Sequence, residues 1–123
     1  MADMTPQEAC VEAARIIERD GWHQGNYYKE PEGDDFFSPR AQVAAKAAAK
    51  AAAPVCALGA INRAVSGNAA YSRPIALQAR ELLSKHIGTP NGRAFPYIPE
   101  WNDDPARSAE DVILALKHAS QLP

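Results

Sequence analysis

Apolar residues return at helical spacing in separate stretches of the chain, and nowhere do they alternate in the two-residue rhythm of a strand. The first stretch is the clearest. Thr5-Pro6-Gln7-Glu8 combines an N-cap, a proline suited to the first helical turn and a glutamate that completes a capping box. Ala9, Ala13, Ile16 and Ile17 then share one face, with Glu12, Arg15, Glu18 and Arg19 on the other. Gly21 stops the run, which predicts a helix over 6–20 closed by a left-handed glycine cap. Ser38-Pro39 repeats the start signal ahead of an alanine-rich stretch, read as a helix over 39–53. Pro54 breaks it and opens a further helix over 54–66, the most apolar of the set, in which Gly59 lets a second helix approach closely. Gly67-Asn68 ends that helix, and Ser72-Arg73-Pro74 starts another over 73–87 that offers Ile75, Leu77, Leu82, Leu83 and Ile87 to a core. Residues 88–92 read as loop. Pro96 and Pro99 keep 94–100 extended. Ser108 caps a last helix over 109–121 with Val112, Ile113, Leu116 and Ala119 as its stripe. The expected fold is all-α, a compact bundle of four to five short helices with a long aromatic loop after the first.

At 123 residues this is one domain over 1–123, with a single small core. Hydrophobic content is 46%, but nine alanines lie within residues 41–53 alone. Alanine buries little area, so the core is thinner than that percentage implies. Modest stability or support from self-association follows. The longest apolar run falls far short of the roughly 20 residues that span a bilayer, and Asp3 and Glu8 leave no secretory signal pattern at the start. Cys10 and Cys56 fit no CxxC spacing and read as buried thiols of a reducing cytoplasm.

Net charge is −2, and its layout says more than its value. Residues 1–35 hold nine acids and three bases, 36–93 hold eight bases and one acid, and 94–123 hold five acids and two bases. A basic middle between acidic ends predicts internal pairing, or alternatively a basic face for an acidic partner.

Residues 21–37 contain three glycines and Pro31, so they read as a loop, yet they carry five of the nine aromatics: Trp22, Tyr27, Tyr28, Phe36 and Phe37. Such a loop packs down as a roof on the core, or serves as a binding loop on a rigid scaffold. The densest local specification is 97–108. There Trp101 reads as a core plug, Asn102 or Asp103 as the start of an Asx-turn before Pro105, and Arg107 as a partner of Asp103 or Asp104.

Gly21-Trp22, Gly25 and Tyr27, then Cys56-Ala57-Leu58-Gly59-Ala60-Ile61, then Trp101-Asn102-Asp103 with Pro105, Arg107 and Ala109-Glu110-Asp111-Val112, together resemble a family of small uncharacterised proteins of actinobacteria and their phages. The resemblance covers most of the chain, with the Trp-Asn-Asp segment its most specific part. The alanine-rich stretch 41–53 stands outside it. The resemblance implies a small helical protein encoded by a phage or mobile element, and it brings no catalytic residues with it; the reading of the cysteines puts it in the cytoplasm, the host's if phage-encoded.

Candidate chemistry is sparse. His23, His86 and His118 lack a second ligand at metal spacing, so no metal is expected, and no cofactor motif is present. Cys56 in an apolar helix reads as inert. No phosphate-binding glycine loop occurs. Scattered bases and a pI near 5.9 argue against nucleic acid. The sequence therefore points to a phage-like accessory protein that binds a host or phage protein through the aromatic loop. A self-assembling or virion-associated structural protein is the alternative. Weaker still is an enzyme whose site gathers Trp101, Asp103, Asp104, Arg107 and His23.

Overall fold

The computed structural model describes residues 4–29, 51–88 and 98–123. Five helices lie among them: α1 Pro6–Asp20, α2 Ala57–Ser66, α3 Pro74–Ile87, α4 Ile98–Asn102 and α5 Ala109–Ala119. The fold is all-α. α1 packs against α2, α3 and α5, and so forms the middle of the bundle, while the helix that α4 packs against most is α2. The expected helix over 39–53 and the aromatics Phe36 and Phe37 fall almost wholly outside the described residues.

Local chemistry accounts for the ends. Thr5 Oγ1 accepts from Glu8 N at 3.0 Å while Glu8 Oε1 accepts in turn from Thr5 N at 3.1 Å. Ser108 and Asp111 repeat this capping box at α5. Gly21 caps α1 at φ 97 and ψ 167, so it is not left-handed helical as the sequence suggests. Its positive φ instead turns the chain straight from helix into extended backbone.

Small residues let the helices close up. Ala9, Ala13 and Ala14 of α1, Ala57 and Ala60 of α2, Ala76 and Ala79 of α3 and Ala115 and Ala119 of α5 are all buried. Larger side chains fill the centre: Ile61, Leu83, Leu116, Val55 and Val112 are fully buried. Each contributes about 1.5–3 kcal/mol by leaving water, and each alanine less. Cys10 sits in this core, its thiol directed at the Ala79 carbonyl at 3.6 Å. Leu77, expected inside, is 49% exposed, because Ala76 and Ala79 carry the inner face of α3.

Two polar groups stitch the bundle from within. Asn62 donates to Ala69 O at 2.8 Å and accepts from Ser72 Oγ at 2.9 Å, which pins the turn between α2 and α3. Arg63 donates to Ala53 O at 2.7 Å and pairs with Asp20 at 3.0 Å, with both side chains buried. That pair joins the acidic first segment to the basic middle, as internal pairing requires. Lys117 and Glu18 join α5 to α1 at 3.0 Å on the surface.

Candidate functional site

The segment 54–56 is extended chain where a helix was expected. α2 begins at Ala57, not Pro54. Val55 is extended and lies between two stretches of the loop that follows α1, bridging to Trp22 on one side and Tyr28 on the other. His23 N donates to Val55 O at 2.9 Å and Val55 N to Gly21 O at 3.0 Å. On the far side Lys29 N donates to Pro54 O at 2.8 Å and Cys56 N to Tyr27 O at 3.2 Å. The described part of the loop is therefore tied down by backbone bonds, as its aromatic content implied.

This clamp explains Gly59. A Cβ on Gly59 would overlap the backbone carbonyl of Tyr27. Glycine is needed here so that the loop, not a second helix, comes close. Cys56 also changes role. It is the N-cap of α2, and its Sγ accepts from Gly59 N at 3.3 Å. Burial pushes the Cys56 thiol above its usual range and nearby Asp103 adds to that, while bonds from the Gly59 and Leu58 amides act the other way. The thiol is protonated at neutral pH. The core thiol of Cys10 is pushed up by burial to about 11.

The second departure is Asn102. Residues 98–102 form the short helix α4, which overlaps the stretch 94–100 expected to be extended, since Pro99 stands in the first turn and needs no N–H there. α4 delivers Asn102, only 1% exposed, into the centre of the clamp. Its Oδ1 accepts from the Trp22 indole at 2.8 Å and from Ala57 N at 3.0 Å. Its Nδ2 donates to His23 O at 3.1 Å and to Asp103 Oδ1 at 3.0 Å. Asp103 Oδ1 also accepts from Gly25 N at 2.8 Å, while Gln24 donates to the carbonyls of Asn102 and Asp104. Asn102 is thus the buried plug, and Trp101 is half-buried at its side. The Asx-turn falls to Asp104, whose Oδ1 accepts from Ala106 N at 2.9 Å. Arg107 stacks on the Trp101 ring at 4.4 Å, donates to Trp101 O at 2.9 Å and lies 4.0 Å from Asp104, the turn-stabilising place expected of it.

A cavity of about 270 Å³ opens between these segments. Residues 25–28 line one side, Cys56 and Leu58 belong to the start of α2, and Pro99, Asn102 and Asp103 come from α4 and the turn after it. Of the expected binding residues, Tyr27 and Tyr28 line the cavity, and Tyr27 is 41% exposed. Trp22 is half-buried with its indole N–H committed to Asn102. Of Trp101, Asp103, Asp104, Arg107 and His23, Asp103 lines this cavity, while Arg107 gathers Trp101 and Asp104 in the turn beside it.

The three motif segments, far apart in the chain, thus meet at one place. A family model described as a family of unknown function, DUF6197, matches residues 1–122. The chain belongs to the DUF6197 family. No curated protein and no solved structure matches it. In this DUF6197 chain, sequence reasoning missed Gly25, Asn26, Cys56, Leu58 and Pro99 as cavity residues. Glycine and Cys-Ala-Leu-Gly-Ala were present as signals, but their meeting depends on contacts some 30 to 80 positions apart. It also missed that His86 and His118 meet edge to face, with ring centroids 5.2 Å apart. Burial, and then His118, holds His86 below its usual range. Among the described residues no three His, Cys, Asp or Glu side chains gather as metal ligands would, and no helix is long and apolar enough to cross a membrane.

Proposed function

We propose that this chain is a binding domain that acts by holding another protein at the cleft between residues 25–28, the start of α2 and α4. One observation carries the reading: the three segments that mark the sequence converge on an open cavity edged by Tyr27 and Tyr28. Tyrosine supplies large, amphipathic contact area at interfaces. The backbone clamp around Val55 holds the cleft in place, so little ordering accompanies binding. The phage and actinobacterial setting implied by the resemblance would make the partner a host or phage protein met in the cytoplasm, with Phe36 and Phe37 as further candidate anchors from the same loop.

Affinity capture with the immobilised chain tests this, with bound proteins identified by mass spectrometry. The unaltered chain should retain a specific protein that Tyr27→Ala and Tyr28→Ala lose, with the circular dichroism of both variants unchanged. Retention by both variants would count against the cleft. A second reading, self-assembly into a structural protein, draws on the exposed Leu77, Tyr71 and Leu114. Light scattering separates the two: a monomer at micromolar concentration removes the structural reading.

A further inference from the structure

We infer that the cleft takes a cationic side chain, a lysine or arginine of the bound protein, with the Asp103 carboxylate as its counter-charge. The inference rests on the binding-domain reading and specifies its anchor. Size comes first. About 270 Å³ is slightly below the roughly 300–1,000 Å³ of sites for drug-sized ligands, and suits one long side chain. The lining comes next. Leu58, Pro99 and Cys56, whose thiol is neutral, offer an apolar wall for an aliphatic stem. Lysine and arginine bury such stems while keeping the charged head near a polar rim.

Asp103 supplies that rim. Its Oδ1 is fixed by Gly25 N at 2.8 Å and by Asn102 Nδ2 at 3.0 Å. Those two donors hold the carboxylate in position without neutralising it. A carboxylate offers about four lone-pair sites, so Oδ2 retains its own acceptor capacity. Among the described residues no cation pairs with Asp103, whereas neighbouring Asp104 has Arg107 at 4.0 Å. Asp103 and Cys56 both line the cavity, Asp103 as a solvent-exposed residue at its edge, and the carboxylate is near enough to push the Cys56 thiol up. A preformed carboxylate beside an apolar slot of this size matches an ammonium or guanidinium on a methylene stem.

The test is an amide-resolved NMR titration of the full chain with Nα-acetyl-arginine methylamide and Nα-acetyl-lysine methylamide. The neutral isostere Nα-acetyl-citrulline methylamide serves as control. The cationic probes should shift the amides of Gly25, Asn26, Leu58 and Asp103, and the citrulline probe should bind about tenfold more weakly. Asp103→Asn keeps an acceptor for Gly25 N and should remove the difference between the probes. No shift at these amides, or equal affinity for arginine and citrulline probes in the unaltered chain, overturns the inference without any variant. Protein capture lost by Tyr28→Ala but kept by Asp103→Asn would overturn the cationic anchor while leaving the binding domain standing. Loss by both would support the two together.

Discussion

Gly59 and Asn102 are the two positions where one atom decides the architecture. In most helix interiors alanine is preferred to glycine by about 1 kcal/mol. At Gly59 the order reverses, because the added Cβ meets the Tyr27 carbonyl, a backbone atom held by its own bond from Cys56 N. Overpacking of this kind costs about 1–3 kcal/mol, and here the loop must move to relieve it. Gly59→Ala should therefore lower the urea midpoint and shift the amides of residues 25–28, although it raises local helix propensity. An unchanged midpoint would show that the loop does not need this approach. At Asn102 both ends of the amide are used. Asn102→Ala leaves the Trp22 indole, Ala57 N and His23 O short of a partner, and should cost about 3 kcal/mol. Denaturant unfolding followed by tryptophan fluorescence reads this directly, since the loss begins at Trp22.

Between elements, Asp20 at the end of α1 is the joint with α2. A hydrogen bond from Arg19 holds its carboxyl below the usual range, and the charge of buried Arg63 adds to this, against the upward pull of burial. A carboxyl depressed in the folded state stabilises above its unfolded value of about 3.9, and that stability is lost as pH falls through the folded value. Asp20→Asn should lower stability at neutral pH and flatten its decline below about pH 4. Thermal melts from pH 3 to 7 will show whether the two curves converge in acid. The helices themselves were legible where capping chemistry and apolar spacing agreed: α1 matches its predicted span and α5 begins where Ser108 places it. They were not legible where a residue has two local uses. Pro54 can open a helix, but here Val55 is captured as extended chain by Trp22 and Tyr28. Pro99 suggests extended chain, yet it fits the first turn of α4. The cleft was visible only as separate motifs, since no local rule states that Asn102 will reach Trp22 across 80 positions.

At the scale of the whole molecule, stability should be graded around α1. This helix packs against α2, α3 and α5, whereas α4 is a single short piece held by α2 and by the loop that follows α1. Hydrogen exchange should be slowest in α1 and α2 and faster in α4, and equal protection throughout would mean that α4 shares the global unfolding unit. The Asn102 junction carries a further consequence. It draws residues 22–25, 56–57 and 102–103 to one point, so it closes non-local loops of 45 to 80 positions, each with its own entropic cost. During synthesis the first two segments leave the ribosome well before the third. A nascent chain that has emerged only to α3 therefore lacks the Asp103 side of the cleft. On the function proposed above, a complete cleft arises only once residues 98–103 have been made, because Pro99, Asn102 and Asp103 form one of its sides.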